Sequence, residues 1–260
     1  MRFSRFVFAS LAAAAVVLTG LLPASAAGTT LFVLGPSNAR GYMTEIIAMY
    51  QKAHPDVTVD AAYAGSQTIL KNVESGGAVD AVIIGVHTLN PEAQKYLDSL
   101  TQLYTAHVVI ATSRTALTMP HAVRITSARD LAKPGVRLAG GVPGSGAHIF
   151  EDQVYTGLGK LYGGDFEKKV RANVQVTKTD VAQIAAALDA GLVDAAPFLS
   201  ADIDSKMDKV ELPPDVQITL TFSSAMVKSA PHAAAARDFV AFLSSPAAMA
   251  AYKKHGFTTH

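Results

Sequence analysis

The 260-residue chain contains no cysteine. Without a thiol there is no disulfide, no thiolate nucleophile, no cysteine-held metal and no cysteine on which a lipid anchor could be built. Charge is also scarce. Lysine and arginine total 22 against 21 acids, a formal +1, and no basic block breaks the balance. That argues against nucleic acid or an anionic membrane surface as partner. After the first residues no apolar run reaches the length needed to span a bilayer. The eight histidines show no metal-ligand spacing, so neither a metal cation nor a cofactor is expected. The only compositional bias is a scatter of alanine-rich stretches, which are ordinary helix formers.

What is present begins with a leader. Arg2 and Arg5 form a positive segment, Phe6 to Leu22 is almost wholly apolar, and Ala24-Ser25-Ala26 is a small-residue cleavage site. The secretion machinery reads these three features in that order, so export with cleavage after Ala26 is expected. Loss of two arginines and no acid turns the +1 chain into one of −1. The remainder is long enough to bury a large core without covalent staples.

Beyond the leader, short apolar runs alternate with helical patterns. Leu31 to Leu34 reads as a buried strand ending at the turn cluster Gly35-Pro36-Ser37-Asn38. A helix carrying Ile46, Ile47, Met49 and Tyr50 closes near His54-Pro55. A strand starts at Val57. Ser66 opens a second helix with Ile69, Leu70 and Val73 on its apolar face and Gly76 as its stop, and Val79 to Ile84 is another buried strand. The plan then repeats. Val136 to Ala139 is a strand followed by a glycine-rich turn, and a helix runs from about Ala147 to Leu158. Val174 to Val176 is a strand, and Asp180 caps a helix with Val181, Ile184 and Leu188, stopped by Gly191.

The halves echo one another locally. Gly76-Gly77-Ala78-Val79-Asp80-Ala81 and Ala190-Gly191-Leu192-Val193-Asp194-Ala195 each mark a helix end, a tight turn and a strand start. The alternation implies an α/β protein of two similarly built lobes, each with a mainly parallel sheet. His107 to Thr112 and Ile218 to Val227 are extended candidates for crossings between them. The last helices, Ala233 to Leu243 and Pro246 to Lys254, should pack back on the first lobe.

These residues resemble the periplasmic molybdate-binding proteins, within the wider class of bacterial solute-binding proteins of ABC importers. The resemblance is carried by Ala64-Gly65-Ser66 with Gly76 and Asp80-Ala81, by Asp130 to Ala139, and by the tail from Ala236-Arg237-Asp238-Phe239 to Gly256-Phe257. It implies a type II periplasmic-binding-protein fold: two α/β lobes around a cleft, a two-strand hinge, and closure on a ligand. The lobes would comprise residues 27–107 plus 222–260, and 108–221. It further implies a periplasmic receptor, not an enzyme, that delivers molybdate or tungstate to a membrane permease. By the same alignment Ser66 matches a ligand-donating serine, and Ala147 and Val181 fall on backbone-amide donors. Departures are equally specific. Asn38, with Ser37 beside it, stands where the family has a serine; His148 replaces a glycine; the turn before Ala147 is one residue shorter; and Leu199, beside Phe198, stands where the family has a tyrosine.

Independently of any family, Ser37/Asn38, Ser66, Ala147 and Asp180/Val181 each sit at a strand-to-helix turn. In open parallel sheets such turns gather at the carboxyl ends of the strands, where ligands bind. Helix starts carry unpaired N–H groups and a positive dipole end, so several of them around one cleft make an anion site without a formal cation. Arg40 is a further candidate, its fork suited to carboxylate or phosphate, and His148 another as a donor or pH-dependent contact. Each has a plainer reading: an N-cap for Ser66, turn residues for Ser37 and Asn38, a solvated first-turn residue for Arg40, an incidental histidine for His148. With the departures in view, an organic acid or a phosphorylated compound is the alternative ligand. Gly144-Ser145-Gly146 has neither the nucleophile-elbow spacing nor a Walker lysine, which leaves an exported hydrolase without a motif. The export signal and the lack of a DNA-binding segment disfavour a regulatory ligand domain.

Overall fold

A computed structural model describes residues 28–120 and 122–259; the expected export leader lies outside the described residues. The first sheet is built from β1 (Thr29–Pro36), β2 (Val57–Ala64) and β3 (Ala81–Gly85) in the order β2-β1-β3, all parallel. Helix α1 (Arg40–Ala53) connects the first two strands and α2 (Ser66–Glu74) the next two. Every residue of β3 is buried, in keeping with its continuous apolar sequence between two covered faces. Ile46 and Tyr50 of α1 are fully buried, whereas Ile47 and Met49 lie at the margin of the core.

After a single helical turn, α3 (Pro91–Gln94), the chain enters β4 (Thr101–Ser113), which serves both sheets. Its first part, Thr101 to His107, pairs antiparallel with β9 (Thr219–Met226), and β9 in turn pairs antiparallel with β3. From Val108 onward the same strand pairs with β7 (Ala195–Leu199) and β8 (Met207–Val210). The second sheet repeats the plan of the first. Strands β5 (Leu138–Gly141), β6 (Val174–Lys178) and β7 run parallel in the order β6-β5-β7. They are linked by α4 (Gly146–Tyr162), α5 (Phe166–Ala172) and α6 (Val181–Asp189). Helices α7 (Ala233–Leu243) and α8 (Pro246–Lys254) return to the first sheet. Tyr50 on α1 donates to Asp238 on α7 at 2.9 Å, and Tyr252 on α8 meets the Tyr42 ring edge-on at 5.1 Å.

The sequence echo is a structural one. Gly76 and Gly191 end α2 and α6 in the left-handed region, with φ of +78° and +68°. The next amide in each case donates to a carbonyl five residues back, Gly77 to Asn72 and Leu192 to Ala187, both at 3.0 Å. Asp80 and Asp194 then do the same work. Each carboxylate accepts a backbone N–H from the neighbouring strand region, Phe32 at 2.9 Å and Arg137 at 2.8 Å. Each backbone amide donates to the carbonyl of that same residue, at 2.8 and 2.7 Å. The second copy adds the guanidinium of Arg137 against Asp194, and the first adds His232 against Asp80.

Candidate functional site

The parallel strands of both sheets end at one place. There the turns after β1, β2, β5 and β6 start helices, and a small cavity of about 40 Å³ lies among them. Ser37, Asn38, Gly65 and Ser66 line it from the first lobe; Gly146, Ala147, Thr179, Asp180 and Val181 line it from the second. A 3-10 turn, Ser37–Ala39, leads directly into α1, while α2, α4 and α6 start at Ser66, Gly146 and Val181. The leading N–H groups of each have no partner inside their own helix. No lysine or arginine lines the cavity, so its positive potential comes from backbone dipoles.

The caps orient these starts. Asp180 accepts the N–H of Gln183 at 3.0 Å, and Ser145 accepts that of His148 at 3.2 Å. Ser66 is not a cap: α2 begins after Gly65 with no side-chain bond to its first turn. Instead Ser66 Oγ, on a 7% exposed residue, accepts the Gly85 N–H at 3.3 Å. Its own hydroxyl proton is thereby left for a group in the cavity. Beneath the α4 start, the buried carboxylate of Glu151 accepts the Gly141 N–H at 2.7 Å. A β-carbon at Gly140 would collide with that carboxylate, and one at Gly141 with Ser145 Oγ and the His148 amide. Both positions are thus restricted to glycine by close approach. Burial pushes the Glu151 carboxyl up to about 7, against the lowering effect of the Gly141 bond.

Two polar links cross the cleft. Asn38 Nδ2 donates to Asp202, in the turn after β7, at 3.0 Å to Oδ2 and 3.3 Å to Oδ1. Burial raises Asp202 to about 7, while the Asn38 bond works to lower it. On the other side His87, in the turn after β3, faces Gly146. Burial pulls its imidazole down to about 4, opposed by a hydrogen bond with the Gly146 backbone. The remaining wall is apolar: Phe150, Leu199, Leu220 and Phe222. The lobes are in contact around this cavity, since a β-carbon on Gly65 would stand 3.3 Å from the Thr179 carbonyl oxygen and one on Gly146 3.2 Å from Thr88 Cγ2.

Of the residues singled out from sequence, Ser37, Asn38, Ser66, Ala147 and Val181 line the cavity, together with Leu199. Arg40 and His148 do not. Arg40 is exposed on the first turn of α1, its guanidinium lying over the Tyr63 ring at 4.6 Å. His148 turns toward Glu151, Nδ1 to Oε2 being 4.0 Å. A side chain in a first helical turn leans away from the N–H groups beside it, and both residues follow that geometry. His87, Phe150, Thr179, Leu220 and Phe222 had no sequence signal.

The family model for bacterial extracellular solute-binding protein matches residues 31–258. An ABC transporter substrate-binding lipoprotein of Bacillus subtilis (strain 168), YvgL, is 26% identical over 242 residues, covering 88% of this chain and 86% of the relative. Among solved structures, the periplasmic molybdate-binding protein of Azotobacter vinelandii superposes with a TM-score of 0.70 at 17% identity, covering 88% of this chain and 99% of that one. PEB3, from Campylobacter jejuni, with L-phospholactate bound gives a TM-score of 0.70 at 19% identity, covering 88% and 100%.

Proposed function

Because the chain belongs to the bacterial extracellular solute-binding proteins, we propose that its interlobe cavity captures a small anion for an ABC importer. The observation that carries this reading is the convergence of four helix starts, two from each lobe, on one cavity without a cationic side chain. A ligand held by both lobes stabilises the closed arrangement over the open one. We place the division of the lobes at His107/Val108, where β4 changes partners, and at Thr221/Phe222 on the return through β9. β4 and β9 are then the hinge. We also assign the chain to the periplasm, with the leader removed after Ala26.

Molybdate or tungstate is the first ligand reading. It is supported by the sequence resemblance, by the size of the cavity, and by Ser66, whose free hydroxyl proton suits a fully ionised oxyanion. Donors without matching acceptors disfavour protonated anions. The second reading, an organic acid or phosphorylated compound, is supported by the apolar wall that includes Leu199. Thermal-shift titration of the chain lacking its leader, against molybdate, tungstate, sulfate, phosphate and citrate, tests the proposal. A ligand at about 100 times its Kd adds about 2.7 kcal/mol to stability. A shift with molybdate and tungstate alone supports the first ligand; a shift with phosphate or citrate alone supports the second. No shift with any anion would remove the receptor reading.

A further inference from the structure

The cavity has two chemically different sides. The donors all lie at the helix starts: the hydroxyls of Ser37 and Ser66 and the amides of the first turns of α2, α4 and α6. The opposing wall is Phe150 of α4, Leu199 at the end of β7, and Leu220 and Phe222 of the hinge strand β9. These four are 2%, 2%, 4% and 4% exposed and carry no polar side-chain atom. The wall is held firmly. Phe222 stacks on Tyr104 at 4.9 Å with a 19° interplanar angle, and Tyr104 shares a 2.5 Å hydrogen bond with the buried Tyr42.

An inorganic tetrahedral oxyanion points oxygens in every direction. Seated here, it turns at least one of them to the apolar wall, stripped of water with no donor in return, and that is costly. A ligand that is anionic at one end and hydrocarbon at the other leaves nothing unmatched. Size narrows the class. At about 10–15 Å³ of such space per water, the 40 Å³ cavity has room for roughly three waters, which excludes sugar phosphates.

Resting on the receptor reading above, we propose that the ligand is an organic anion of one to three carbons. Its carboxylate or phosphonate head lies on the helix starts, and its hydrocarbon end lies on Phe150, Leu199, Leu220 and Phe222. Leu199 is the specificity-determining residue, because a hydroxyl there would give the wall a donor.

Calorimetric titration with matched probes tests this: methylphosphonate against phosphate, propionate against formate, and molybdate and sulfate as inorganic references. Methylphosphonate should bind at least tenfold more tightly than phosphate, and propionate more tightly than formate. Leu199→Tyr should cut that preference at least tenfold and improve binding of the inorganic ions. Leu220→Thr, which puts a hydroxyl on the same wall with little change of shape, should act in the same direction if the tyrosine variant does not fold. Equal or tighter binding of the inorganic ions by the unaltered chain overturns the inference and leaves the receptor reading in place. If no anion of the panel binds, both fall.

Discussion

The side-chain amide of Asn38 reaches across the cleft to the Asp202 carboxylate, 3.0 Å from Oδ2. Asn38 belongs to the turn after the first strand and Asp202 to the turn after β7, so the bond exists only while the lobes are together. One of the two amide hydrogens is therefore committed to the protein rather than to a ligand. Asn38→Ala removes the tie and leaves Asp202 in the cleft without its donor. Ligand affinity should fall by about 1–3 kcal/mol, with the unliganded protein more open in small-angle scattering. Unchanged affinity and scattering would show that the bond has no part in closure.

Ser66→Ala deletes a hydroxyl whose proton has been left for the cavity while its oxygen holds Gly85. The loss should be about 1–3 kcal/mol in binding of the preferred anion. Little change should appear in denaturant stability. If stability fell and affinity did not, Ser66 would be a structural residue only.

Stability against pH carries the signature of three groups at the site. Asp202 and Glu151 titrate near 7 in the fold against 3.8 and 4.5 when unburied. The native state binds more protons than the unfolded chain between those values, so their contribution falls as pH rises toward 7. His87 runs the other way, from 6.5 down to about 4 on burial, and favours the fold as pH rises through that range. Above about pH 6.5 only the acids still titrate, so Tm should drop between pH about 6.5 and about 7.5. Asp202→Asn with Glu151→Gln should flatten that drop, while His87→Gln should extend the decline down toward pH about 4.5. A Tm that rises over the upper interval contradicts this assignment.

Gly65→Ala places a methyl 3.3 Å from the Thr179 carbonyl oxygen of the opposite lobe. At that separation the neighbour has to give way, and the contact that yields is the one across the cleft. Affinity should fall severalfold with the unfolding midpoint of the unliganded chain preserved, as read by titration and by thermal melting in parallel. An equal loss in both would mean that the turn itself is disturbed.

Asp194 is nearly fully buried and holds both the backbone and the guanidinium of Arg137. Asp194→Ala leaves those donors unmatched and should cost about 3–5 kcal/mol in denaturant titration. A cost below 1 kcal/mol would contradict that role.

Most of the fold was legible because its determinants are local. Gly76 and Gly191 stop helices through their own backbone freedom, and β3 declares itself as a continuous apolar run. The elements that escaped depend on partners far away in sequence. Thr101 to Ala106 is polar enough to look like a loop and becomes strand because β9 pairs with it. The four residues of β8, Met-Asp-Lys-Val, have no alternation strong enough to read alone, and lie flat because β4 is beside them. The cavity divides the same way. Its donor side was readable from helix-start chemistry at Ser37, Asn38, Ser66, Ala147 and Val181. Its apolar side was not, since Leu220 and Phe222 resemble any other core residues of a strand until the sheet carries them under the cleft.

The path of the chain also sets an order of assembly. Everything the second lobe needs, from β5 to β8, is contiguous with the latter half of β4. The first lobe is not so supplied: β3 takes its partner from β9, Ala81 facing Met226, and Tyr42 takes Tyr252. Contacts separated by so much chain form slowly, because the loop between them has to close first. The inserted lobe can therefore consolidate while its host still awaits its last three elements, and its compact presence draws β4 and β9 toward each other. A truncation before β9 would leave the second lobe structured and the first one open along β3.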